Sequence, residues 1–312
     1  MDLHFLPSAS RAKDLRRSMD ASLLGSILGQ LQAPVAPTIG SVRAKPSDYA
    51  AYFDAAQACL SPDNIPVWPT PRVATLAEPF FTATEIASLC RWWDTEPLNA
   101  LCLEPIDADA LAQAQTHVHQ ALSQLALCAP EMHAEVCTIV TDIVMAQAGA
   151  SRRMVFGGIS SFAAWGAICL NQPVHTHWTE YFKQIVHETA HLLLFAIARE
   201  QPLVINAASE RHASALRDDD RPIDGIFHAA FVSAREAYAF NAWLNWQATC
   251  PPESASTDDL VWVEQALECS VLAYWDCCEQ LDAHAQLSEL GNQVLSQTRT
   301  YVQDAFEVRV NA

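Results

Sequence analysis

Basic residues are scarce in this chain of 312 residues: 18 Lys+Arg stand against 36 Asp+Glu, a formal net charge of -18. Nucleic acid and anionic membrane surfaces both demand a concentrated basic footprint, so neither is expected as a partner. Four of the basic residues (Arg11, Lys13, Arg16, Arg17) crowd the N-terminus. They read as one solvated helix face, with a docking patch for an acidic peptide as the alternative. Long apolar runs are missing too. No stretch approaches about eighteen uninterrupted apolar residues, so nothing is expected to span a membrane. "MDLHFLPSAS" has no basic region followed by an apolar core, so no signal peptide is expected. The ten cysteines contain no CxxC, and the only close pair is Cys277-Cys278. Others sit in apolar surroundings, such as Cys137 in "EVCTIV" and Cys169 in "GAICL". That pattern excludes a thiolate zinc site and a disulfide framework, and a reducing cytoplasm is the expected compartment.

Glycine is also rare, 9 in all, and the chain between those breaks is mostly helical in period. A helix is expected around "SLLGSILGQLQ", then a proline-bearing mobile connector, "APVAPTIGSVRAKPSD". Helical spacing returns in "DYAAYFDAAQACL", in "ATEIASLCRWWD" and from Asp107 to about Gln147. Within that run His117 and His119 are two apart, about 200° round a helix, so they read as surface or packing residues rather than joint ligands. Short apolar segments bounded by glycine or asparagine, "RRMVFGG" and "WGAICLN", predict strands, and "PLVIN" (202–206) is a third. Residues 178–199 read as a buried helix. After Asp224-Gly225, with Asp224 as N-cap, helical patterns fill the rest of the chain. No internal repeat and no low-complexity tract is present. The expected fold is α+β, predominantly α-helical, with a few short strands beside the helix of residues 178–199. One catalytic domain is expected over 1–312, with 1–48 a helical arm and connector and 150–245 the core of the site.

What stands out is "HETAH", residues 187–191. On a helix His187 and His191 share a face one turn apart, so both imidazoles reach one cation. Glu188 points roughly 100° away from His187 and serves as base or as support for a ligand. Two histidines and a glutamate are costly in so apolar a helix unless used, which outweighs the reading as satisfied core histidines. The third ligand has two candidates. Glu210 stands at the HExxH-x18-E spacing of aminopeptidase-type zinc enzymes, although "NAASERHASALRDDDRP" looks like a loop. His228 lies in the first turn of the helix after Gly225, between apolar Phe227 and Phe231. His175 and His177 in "NQPVHTHWTEYF" are either substrate contacts or loop surface residues. Trp178 and Tyr181 either line a peptide groove or, more commonly, pack in a core.

The stretch "HETAHLLLFAIA…PLVIN…SERHASALRDDDRPIDGIFHAAFVSAR" resembles the HExxH-motif proteins associated with ribosomally made peptide natural products, the iron- and α-ketoglutarate-dependent peptide β-hydroxylases. The likeness covers about residues 150–240, with a weaker echo in "LSELGNQVLSQ". It rests on HExxH combined with "LRxDxRPxxGxxHxxxVxxR". The resemblance implies Fe(II) held by His187, His191 and His228, α-ketoglutarate as cosubstrate, and a precursor peptide hydroxylated at a side-chain β carbon. Such a site needs open positions on the metal and a cation for the distal carboxylate of α-ketoglutarate. Arg235, seven residues after His228 on nearly the same helical line, leans back toward it; Arg221 and Arg217 are the alternatives. In that chemistry Glu188 supports a neighbouring group instead of deprotonating water. Two rival readings stand beside it: a zinc peptidase with Glu188 as general base and Glu210 as third ligand, and a non-catalytic peptide-binding protein.

Overall fold

A computed structural model of the chain describes residues 5–31, 70–94, 101–149, 156–199, 201–214, 217–251 and 255–306. The fold is α+β and predominantly helical, as the sequence predicts. The chain divides into two compact units, neither continuous in sequence. One draws on Ser8–Ser123 and His133–Ala196, the other on Met1–Pro7, Gln124–Met132 and Ile197–Ala312. The connector and the helix expected in "DYAAYFDAAQACL" lie outside the described residues.

The first unit is built on a sheet. Strand β1 (Arg72–Thr75) runs parallel to β3 (Asp142–Gln147), and β3 runs parallel to β5 (Ala167–Asn171). Strand β4 (Gly158–Ser160) adds to β5 antiparallel, and the short β2 (Glu104–Pro105) pairs with β3. Every residue of β5 and five of the six in β3 are buried. A strand covered on both faces shows no polar alternation, and this explains a correction. The run from Asp107 to Gln147, which the sequence reads as helix throughout, is two helices followed by a strand: α3 (Ala108–Cys128), α4 (Pro130–Ile139) and β3. Pro130 opens the second helix, where its missing N–H costs nothing. The strand expected across "RRMVFGG" is shifted: β4 begins at Gly158, and residues 151–155 lie outside the described residues.

Helix α2 (Ala83–Trp93) starts with a reciprocal cap between Thr82 and Glu85 and lays Leu89 and Trp93 on the sheet. Helix α1 (Ala9–Leu31) is anchored at its buried end. The Arg16 Nε donates to Asp20 at 2.8 Å, its Nη1 to the Ile139 carbonyl at 3.0 Å, and the Trp165 indole donates to Asp20 at 3.0 Å. Arg11 pairs with Glu135 at 3.6 Å. The N-terminal basic cluster is therefore in part an internal clamp rather than one solvated face. Helix α5 (Trp178–Ile197) completes this unit, apart from its last residue.

The second unit is a helical assembly centred on α6 (Ile223–Gln247), which is buried nearly all round. Helices α7 (Thr257–His284) and α8 (Glu289–Phe306) belong to the same unit. The Ser270 hydroxyl donates to Glu236 at 2.8 Å, and Tyr274 shares a hydrogen bond with Thr298 at 2.9 Å. The cap of α6 is Pro222, with no side-chain cap bond; Asp224 sits in the first turn instead, where a carboxylate still favours the helix N-terminus. Residues 202–206 form no strand beyond a single bridge from Val204 to Leu287. The expected loop at 206–222 contains a hairpin, β6 (His212–Ser214) with β7 (Arg217–Arg221). "RDDDR" carries no apolar alternation, so only its backbone pairing makes it a strand.

Candidate metal centre

Helix α5 has one half-open face. Glu180, Lys183, Gln184, His187, His191 and Phe195 are partly exposed, whereas the residues between them are buried. Their spacing of three, one, three, four and four traces a single stripe. The rings of His187 and His191 lie 5.0 Å apart, inclined at 67°. Two imidazoles one turn apart fit a shared cation.

Glu188 turns the other way. It is 3% exposed, and its Oε2 accepts the Ser160 hydroxyl of β4 at 2.7 Å. The carboxylate presses so closely on β4 that a Cβ at Gly158 would overlap it, and one at Gly157 would meet the Gln184 amide. The glycine pair therefore lets the strand backbone lie against α5 at the motif. Glu188 also helps hold the buried Cys169 thiol well above its ordinary range, after burial itself.

Around the start of α5, histidines are structural. His175 is 6% exposed with Nε2 2.9 Å from the Gly157 carbonyl, and burial pushes its pKa down. His177 Nδ1 lies 3.2 Å from the Thr179 hydroxyl, and its N–H donates to Glu180. His117 stacks on Tyr181 at 5.8 Å with rings 12° apart, and its pKa is lowered by burial and by His177. Tyr181 and Trp178 are core residues, at 0% and 3% exposure.

The remaining candidates lie in the other unit. His228 is half-buried in the first turns of α6, and burial lowers its pKa against the opposing pull of Asp224. Arg235 is 2% exposed, and its Nη1 donates to the Phe5 carbonyl at 2.7 Å. Phe5 is itself wedged against Phe231 and Tyr301. Arg221 is half-buried at the end of β7, and Arg217 opens that strand. Glu210 is fully exposed on a loop, where the Asn206 amide and the Ala207 N–H hold its carboxylate. Those bonds keep its pKa below the usual range. Among the described residues, no three His, Cys, Asp or Glu side chains form a group ready to hold a metal. The structure thus brings His187 and His191 together and, among the described residues, groups no third donor with them.

No protein family matches the chain, and no curated protein matches it. Sequence reasoning missed Ser160 and the role of Gly157-Gly158. The signal was present, since paired glycines at a strand start mark a close backbone approach.

Proposed function

We propose that the protein is an Fe(II)- and α-ketoglutarate-dependent oxygenase that hydroxylates a side-chain β carbon in a ribosomally made peptide. The observation that carries this reading is the split of the motif. The two histidines face one way on the half-open stripe of α5, 5.0 Å apart, while Glu188 is turned into the sheet under Ser160. A zinc peptidase needs that glutamate at the metal-bound water, and it needs Glu210 on the metal. Glu210 instead caps its own exposed loop.

The proposed ligands are His187, His191 and His228. Bound Fe(II) and α-ketoglutarate would supply the oxidation: O₂ and α-ketoglutarate are consumed, a C–H becomes C–OH, and succinate and CO₂ leave. The protein's own part is to hold the cosubstrate carboxylate and the peptide. A guanidinium fork suits the carboxylate. Arg235 is the proposed clamp, with Arg221 and Arg217 as alternatives from β7. Glu188 stiffens α5 from behind.

Glu188→Gln tests the assignment. The amide is nearly isosteric and its oxygen still accepts from Ser160. Turnover should fall by only about 10- to 100-fold, as for a residue acting through a ligand. Abolished turnover with peptide cleavage in the parent would establish the peptidase.

A further inference from the structure

A cavity in the second unit is not part of the metal reading. It has a volume of about 740 Å³ and lies where the end of α6, the first half of α7 and the end of α8 meet. That volume is in the range of specific binding sites, about 300–1,000 Å³. Its apolar walls come from Leu244, Leu260, Leu267, Val271, Leu272 and Phe306. Leu272 is 58% exposed, so an apolar surface is presented to solvent. Such surfaces on a water-soluble fold mark interaction sites.

Charge selects the occupant. Glu264 and Glu268 stand one turn apart on α7 at the rim, and none of the lining residues is basic. Helix α7 carries seven carboxylates and neither lysine nor arginine. Helix α6 ends at the same place, with Gln247 and Ala248 in the lining. A helix C-terminus carries about half a negative charge. The acidic helix and the adjacent helix C-terminus thus both favour a cation beside an apolar surface.

We propose that this groove docks a short cationic amphipathic helix of a peptide partner, apolar face inward and basic side chains against Glu264 and Glu268. The inference does not rest on the metal site, and its test uses no metal.

Binding of a designed helical peptide with leucine and lysine on opposite faces is measured by fluorescence anisotropy on the full chain. The same peptide with glutamate for lysine serves as comparison. The lysine peptide should bind, the glutamate peptide should not, and affinity should fall as salt rises. Glu264→Lys with Glu268→Lys should weaken binding about tenfold or more. Leu272→Gln, at a solvent-exposed position, should weaken it several-fold without unfolding the chain. The control reverses exposed charges on the other unit, Glu104→Lys with Asp109→Lys, and should change little. Equal loss in that control would mean bulk attraction to an acidic protein and would overturn the proposal. Equal binding of both peptides, or undiminished binding by the Glu264/Glu268 variant, would also overturn it.

Discussion

Helices α5 and α6 are both apolar helices that carry polar residues where a core helix should not, and they use them differently. In α6 three buried or half-buried polar side chains find partners inside their own unit. Arg235 reaches the Phe5 carbonyl, Glu236 accepts from Ser270, and the Trp243 indole donates to Gln124 at 2.9 Å. In α5 the polar residues are sorted by face. Glu188 is fixed to the sheet by Ser160, and the histidines meet each other on the half-open stripe. Burying a polar group is costly unless it is bonded, so such partners help hold α6 in its core. On the proposed reading, the α5 histidines are the polar pair that serves a ligand.

The contrast predicts separable losses. Replacing His187 or His191 by Ala should abolish Fe(II) retention, by more than the 100-fold typical of a supporting residue, while circular dichroism stays near the parent. An equally severe loss of folding would place these histidines with the structural groups of α6. Arg235→Ala should cost about 3 kcal/mol of stability by urea unfolding, from a lost charged hydrogen bond and lost packing. Arg221→Ala should cost less, about 1 kcal/mol, since its side chain is only half-buried. Titration with α-ketoglutarate in both variants identifies the clamp. Unchanged affinity in Arg235→Ala would move the role to β7.

Smaller effects probe the back of α5. Gly158→Ala should cost about 1–3 kcal/mol, because its Cβ must displace the Glu188 carboxylate. Ser160→Ala should cost about 1 kcal/mol. If the glycine variant is as stable as the parent, strand β4 does not press on Glu188. Acidity gives the mildest perturbation. His117, His133 and His175 all have lowered pKa values, chiefly through burial. The unfolded chain then binds more protons than the folded one just below about pH 6.5, so stability falls as pH drops from there. His175→Gln keeps a donor for the Gly157 carbonyl and should flatten that slope; an unchanged profile would remove His175 from the account.

How much of this was legible in the sequence follows from the same physics. The helices around the motif and in the C-terminal third are long and periodic, and they appear where expected. Strand β5 was visible because glycine and asparagine bound it. Strand β3 was hidden, since "DIVMAQ" buried on both faces looks like more helix. Strand β1 had no signal beyond four residues. The division into two units was invisible because each is assembled from separated segments. At the site, the shared face of His187 and His191 follows from their spacing alone. The partner of Arg235 does not: Phe5 is 230 positions away, a separation that no local pattern encodes.

The central claim is most directly tested by anaerobic reconstitution with Fe(II), followed by metal counting and a peptide assay with α-ketoglutarate and O₂. The account predicts about one iron per chain, lost in His187→Ala. It also predicts succinate formation matched by gain of one oxygen atom on the peptide. Peptide cleavage that proceeds without O₂ or α-ketoglutarate, with zinc retained in place of iron, would contradict it.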